Sequence, residues 1–410
     1  MPPKKKAINK IIKKKSVPAT NKFQSTKNKK NLNVLYFLAF ILAISTALPA
    51  YIQSNFLKQF VSLSILSLFF IIANVVTIVA ISIFPKLIKK LNNYFLTKVT
   101  LLIYGASLLG LTISNNSSAV LINIILYIVS SNLLWINMDI LVESFSANNI
   151  TGKIRALYFT FMNLGWIFSP LLSSYLISLG GYSLTFFAAA ILIVPVFFIF
   201  LNQGKNLQDK IKYSKEKFSV VAKKMWNNKN LRGIFFISLL LSLFFSSAVV
   251  YIPIYLHENL GMSWSVLGPI FSLMLIPFIV LEIPAGIIAD KYIGEKELLF
   301  AGFAVITVSL FLFYYIETPT VWIWAAVLFA SRIGAALVEA MREAYFFKII
   351  DVKDVDHINI FRMTGPLGYI LGAGIAIITT IFLPLEYLFL ILTIIMLSSF
   401  LFVFSIKDTK

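Results

Sequence analysis

From Asn33 to Ile406 the sequence alternates long apolar stretches with short polar gaps. A hydrocarbon core about 30 Å thick takes roughly 20 helical residues to cross, at 1.5 Å of rise each. The apolar stretches reach that length over 34–53, 59–84, 95–113, 118–143, 155–178, 183–201, 232–256, 265–289, 298–316, 321–345, 357–381 and 385–406. Only helices and closed barrels satisfy their backbone polar groups in lipid, and these stretches have helix length. The pattern predicts an all-α polytopic membrane protein of twelve transmembrane helices. The longest internal polar stretch, 202–231, falls between spans 6 and 7 and divides them into two six-helix bundles, 34–201 and 232–406. Residues 1–33 and 407–410 are polar tails.

Composition agrees: 59% of the 410 residues are hydrophobic, beyond the range of soluble domains. The absence of cysteine rules out a disulfide framework. A net charge of +19 would suggest nucleic acid for a soluble protein, but the placement of the charge says otherwise. Even-numbered gaps are basic, with Lys86, Lys89, Lys90, then Lys153 and Arg155, then a cluster from Lys205 to Arg232. Lys291 and Lys296, Lys348 and Lys353, and Lys407 and Lys410 continue the series, whereas the odd-numbered gaps hold one cation, Lys58. The positive-inside rule puts both termini and the linker in the cytoplasm, as expected of a multi-pass protein of the inner (plasma) membrane with no nucleic-acid partner. The lysine-rich tail, 1–33, has nothing to fold around and is expected to be disordered, either as a topology determinant or in contact with anionic headgroups. Within the linker, 213–226 is predicted to form a surface amphipathic helix.

The chain also matches itself at an offset of two hundred residues. Asn132, Asp139 and Glu143 form a stripe at i, i+7 and i+11 of span 4, and Arg332, Glu339 and Glu343 repeat it in span 10. Gly165 maps to Gly365 and Lys153 to Lys353. An even number of spans per half returns the chain to its starting side, so the halves share one topology. Parallel repeats of this kind are related by an axis along the membrane normal, with the substrate site at their interface.

The segment Gly286-Ile-Ile-Ala-Asp290-Lys291-Tyr-Ile-Gly294-Glu-Lys296 resembles the loop signature of the major facilitator superfamily, and Glu282-Ile-Pro284-Ala-Gly286 is similar to its usual lead-in. The first-half counterpart, 85–94, lacks the aspartate and both glycines. Usage of Lys, Ile, Asn and Phe resembles that of facilitators from AT-rich bacterial genomes. The resemblance implies a cytoplasmic gate built from Gly286, Asp290, Lys291 and Gly294, with Arg155 beside it. In such a gate Gly286 lets a neighbouring helix approach and Asp290 meets the start of span 5, near Gly152 to Ala156. It also implies that spans 1, 4, 7 and 10 line a central cavity, across which Arg332 and Asn132 would face each other.

An ionisable side chain at a helix centre costs about 2.5–3.5 kcal/mol on insertion scales, so each one requires an explanation. Three readings of Arg332 stay open: it holds an anionic substrate group, it is the counter-ion of a titrating carboxylate, or it is a satisfied structural pair. Burial disfavours a charged carboxylate and a nearby cation favours it, which makes Glu339, Asp139 and Glu282 candidates for proton exchange. Their structural alternative, and the expected role of Glu143 and Glu343, is a cytoplasmic salt-bridge layer with Arg155, Arg342 and Lys153. Gln53, Ser130, Ser246, Tyr251 and Trp135, with Ser242, are further cavity candidates, whereas Trp322 and Trp324 are expected as interface anchors. His257 and His357 lie at opposite faces and no phosphate-binding loop is present, so no catalytic residue, metal or cofactor is expected. The expected function is secondary active transport of a small solute by a monomer through alternating access, with proton-coupled efflux as the suggested mode. The alternatives are a transport-inactive sensor or scaffold with the same fold, and a membrane-embedded lipid-modifying enzyme.

Overall fold

The computed structural model describes residues 20–145, 151–203, 218–350 and 355–407, and the regular structure among them is helical throughout. Eleven helices are long and apolar enough to cross a membrane. One of them, Leu157–Gln203, is two spans joined at Gly180 and Gly181, which brings the number of crossings to twelve. Gly181 has φ of 69°, a backbone conformation that only glycine adopts freely, and this lets spans 5 and 6 reverse without a longer loop.

Span 1 differs from expectation at both ends. Its helix begins at Thr20, inside the segment expected to be disordered, because a helix already nucleated in the apolar stretch propagates at little further loss. Residues 1–19 lie outside the described residues. At the other end a turn at Tyr51 and Ile52 follows Pro49, and a short helix, Gln53–Lys58, occupies the expected gap. In the linker, helix Phe218–Asn227 buries Val221 and Met225, one turn apart, against the start of span 11; residues 204–217 lie outside the described residues. The polar face of this helix carries Lys223, Lys224 and Trp226.

The packing pattern is unchanged when six is added to every span number. Span 1 packs on 5 and 7 on 11; 3 on 4 and 9 on 10; 3 on 6 and 9 on 12; 2 on 4 and 8 on 10. Small residues allow the closest crossings, as expected where lipid tails provide no competing hydrophobic drive. A Cβ on Gly165 would lie 2.8 Å from the Phe40 carbonyl oxygen of span 1, and one on Gly368 would lie 2.6 Å from the Ser242 backbone of span 7. Spans 9 and 10 meet backbone to backbone, where a Cβ on Gly334 would stand 2.6 Å from the Gly302 carbonyl.

Contacts between the two sets of six run mainly along span 2 against 11 and span 5 against 8. In the second of these, Ser174 donates to the Trp264 carbonyl at 2.6 Å and leaves no room for a side chain on Gly268. Span 8 is interrupted at Met274, Leu275 and Leu281, near Pro277 and Pro284, and ends in a wide turn, Ala289–Ile293. Span 7 has two wide turns, Ser247–Tyr251 and Tyr255–Asn259, on either side of Pro253. These irregular stretches border the interior, where local backbone adjustments are common at working sites.

Gly334→Val should lower stability by about 1–3 kcal/mol, because added methyl groups at a backbone crossing force the helices apart. Gly374→Ala, where a Cβ meets nothing within 4 Å, should leave the thermal transition in detergent unchanged. Equal transitions for wild type and Gly334→Val would contradict the close crossing.

Candidate functional site

A cavity with two lobes lies between the two sets of spans. The larger lobe has a volume of about 360 Å³ and the smaller about 210 Å³. They share the walls formed by Asn132, Trp135, Trp166, Val249, Gly365 and Tyr369. No residue of spans 3, 6, 9 or 12 lines either lobe. Spans 5, 8 and 11 join 1, 4, 7 and 10 around the larger lobe, a wider ring than the four-span lining implied by the resemblance.

Asn132 and Arg332, two hundred residues apart, both face the larger lobe. Gln53 lines the smaller lobe, and its Oε1 is buried without a hydrogen-bond partner. Trp135 lies in both lobes and Ser242 in the larger one. Ser130, Ser246 and Tyr251 do not line either lobe. Ser130 donates to the Leu126 carbonyl at 2.5 Å and Ser246 to that of Leu243 at 2.8 Å, the usual back-bonding of a hydroxyl inside an apolar helix. The Tyr251 hydroxyl pairs with Ser67 at 2.9 Å and ties span 7 to span 2.

The floor of the larger lobe, towards the lysine-rich face, is an ionic cluster. Arg362 of span 11 bonds Asp139 of span 4 at 3.1 Å and holds Glu343 of span 10 through both terminal nitrogens, at 2.5 and 3.0 Å. Arg342 reaches Glu339 at 3.2 Å and donates to Ser238 at 2.5 Å. Arg155 lies 3.9 Å from Glu343 and stacks over the Phe347 ring at 3.7 Å. Three guanidinium groups therefore meet three carboxylates, and the Asp139–Arg362 and Arg155–Glu343 contacts join opposite halves. Asp139 and Glu339 belong to this layer, Asp139 through Arg362 rather than through Arg155, Arg342 or Lys153. Glu143 and Lys153 have side chains outside the described residues.

Two ionisable groups lie outside the layer. Arg332 is 1% exposed; its Nη1 donates to Ser331 at 3.2 Å, Phe244 lies 5.2 Å from its guanidinium carbon, and its Nη2 has no partner. No carboxylate pairs with it among the described residues, and the phenol oxygen of Tyr51 in span 1 accepts from its guanidinium. Glu282, half-buried in span 8, accepts from the Asn163 amide of span 5 at 2.9 Å and has no cation against it. Of Asp139, Glu282, Glu339 and Glu343, it alone lacks an ion pair.

The signature segment departs from the resemblance. Gly286 has open space where a Cβ would stand, so no helix approaches there. The glycine that matters conformationally is Gly294, whose φ of 90° ends the wide turn and starts span 9. Lys291 is exposed, and the side chains of Asp290 and of residues 151–153 lie outside the described residues. Trp322 is exposed at a span end, whereas Trp324 is fully buried and donates to the Thr318 carbonyl at 2.8 Å. Trp324 is thus a core residue rather than an interface anchor. The sequence reading missed Arg362, Trp166, Tyr51 and Tyr369. Arg362 had a visible signal as an arginine inside a span, and Trp166 follows the repeated Gly165.

On the face away from the lysines, Lys58 and Glu258 form an ion pair between spans 1 and 7, with the Asn55 amide 3.5 Å from the same carboxylate. The one cation of the odd-numbered gaps thus has a partner in the opposite half. Polar bridges between the halves occur above and below the cavity.

A sequence model of the Major Facilitator Superfamily matches residues 34–338 and, in a second match, 265–410. The chain belongs to this superfamily. It is a multi-pass membrane transporter whose cargo is a small molecule, and the twelve-span packing with a central two-lobed cavity is the facilitator fold. No curated protein matches the chain.

In this facilitator, Arg362→Met should be strongly destabilising, by about 3–5 kcal/mol, because it strands buried carboxylates. Adding Asp139→Asn should restore part of that loss. Unfolding in detergent micelles measures both variants, and effects additive within about 0.5 kcal/mol would rule out direct coupling.

Proposed function

We propose that this facilitator is a proton-coupled secondary transporter that works by alternating access, its halves 34–201 and 232–406 rocking around the two-lobed cavity. The lysine-rich face is cytoplasmic by the positive-inside rule, so both termini and the linker lie there. The ionic cluster around Arg362 is the inner gate, to which Asp290 and Lys291 add their charge. The Lys58–Glu258 pair and its neighbours are the outer gate. Both sets of contacts are made together here, and opening to either face breaks one set while the other holds.

Glu282 carries the proton. An unpaired carboxylate held by a neutral amide in a low-dielectric interior exchanges between charged and neutral forms more readily than one fixed by guanidinium groups. The observation supporting this is the Asn163–Glu282 bond, which crosses the interface of spans 5 and 8 and so changes with the rocking itself. Asp139 and Glu339, both ion-paired, serve the gate. One charge moving across 100 mV supplies about 2.3 kcal/mol, enough to bias such a cycle.

In sealed proteoliposomes, a solute that is carried should move protons with it. Glu282→Gln should abolish solute-driven proton flux while solute exchange without a gradient persists. Proton flux retained in Glu282→Gln at wild-type yield would remove Glu282 from the coupling path.

A further inference from the structure

The larger lobe contains a positive charge that no carboxylate among the described residues neutralises. The three arginines of the floor are balanced by Asp139, Glu339 and Glu343. Glu339, seven residues from Arg332 on the same helix, is displaced by about 10.5 Å of helical rise and is bonded to Arg342. Arg332 is therefore a surplus cation, buried to 1% exposure, with a terminal nitrogen unpartnered in the cavity wall. A buried guanidinium without a carboxylate is costly in an apolar interior unless something supplies the missing anion. Two phenols face it from neighbouring helices, Tyr51 of span 1, whose oxygen accepts from the guanidinium, and Tyr369 of span 11, and each keeps its O–H to donate. Together they form a pocket of donors for an anionic oxygen. Trp135, Trp166, Phe245 and Phe278 supply aromatic wall, Asn132, Asn163, Ser242 and Thr364 add neutral polar groups, and the ion-paired floor closes the lobe below.

We propose that the cargo is a small organic acid with a single carboxylate and an apolar or aromatic body. The carboxylate binds Arg332, with the Tyr51 and Tyr369 hydroxyls beside it, and the body lies against Trp135 and Trp166. At roughly 30 Å³ per water, a lobe of 360 Å³ displaces about twelve waters on loading, which suits a molecule of about a dozen non-hydrogen atoms. The smaller lobe, with the unpartnered Gln53 oxygen, accepts a hydrogen-bond donor at the far end of longer members of the class. The proposal rests on the transport reading for its purpose, but binding is measured at equilibrium and does not depend on coupling.

The test uses the purified full-length chain in lipid nanodiscs, with 3-phenylpropionate and 4-methylpentanoate as probes and their amides as neutral controls. Binding is read from the fluorescence of the cavity tryptophans and from the thermal transition. Each acid should bind at least about tenfold more tightly than its amide, the scale of one charge-assisted hydrogen bond. Arg332→Gln should abolish that preference, and Arg332→Lys should keep the sign of the preference with affinity reduced by about tenfold, since the ammonium lacks the planar fork. If Arg332→Gln does not fold, the lysine variant decides, and unchanged affinity there overturns the assignment. Equal binding of acid and amide, or no acid binding up to millimolar concentration, also overturns it. A failed proton-flux experiment alongside acid-selective binding would overturn the coupling scheme alone.

Discussion

Charge enters a hydrocarbon interior only where another charge or a full set of hydrogen bonds meets it, and this constraint organises the molecule. Arg362 shows it most directly, gripping Asp139 of one half and Glu343 of the other. Around it, three cations and three anions share one buried layer. Separating the halves on that face means pulling paired charges apart, so closure there is stable until something compensates them. Arg332 and Glu282 are left over, and both sit where the two halves meet. On the proposed function, these incompletely compensated groups are where a cargo and a proton bring the missing complement.

Duplication explains why the leftovers lie at the centre. Each half presents the same spans in the same order to its partner, so positions two hundred residues apart converge. Asn132 and Arg332 share a lobe, and Lys58 meets Glu258 directly. The halves have nevertheless diverged. The stripe that carries Asn132 in one carries Arg332 in the other, and Gly165 packs tightly on span 1 while Gly365 faces the cavity. The divergence gives a chemically polarised cavity between two halves packed in the same pattern.

The membrane architecture was legible because span length and apolar content are set by bilayer thickness. The polar stripes were legible because helical spacing places Asp139, Glu339 and Glu343 on one side of their helices. Pairing was less readable. Arg362 finds one partner 223 residues away and the other 19 away, and only the packed fold selects them. Ser130 and Ser246 read as cavity groups, yet a hydroxyl in an apolar helix has its own carbonyls in reach and bonds them first. Trp324 sits at a span end like an anchor, but its indole nitrogen finds the Thr318 carbonyl and the ring turns inward. Gly286 belongs to a pattern associated with close approach, yet the breaks in span 8 leave space around it.

The sequence contains no cysteine, so pairs of spin labels can be placed without background. Labels at Lys90 and Lys291 report separation of the halves on the lysine-rich face, and labels at Asn116 and Glu317 report it on the other. Distance distributions from electron–electron resonance in nanodiscs, with and without the Arg362→Met substitution, test the account most directly. Breaking the Arg362 contacts should lengthen the first distance and leave the second short, as one rigid half pivots about the closed outer face. Two distances that both stay fixed, or that lengthen together, would contradict a cycle governed by charge pairs between the halves.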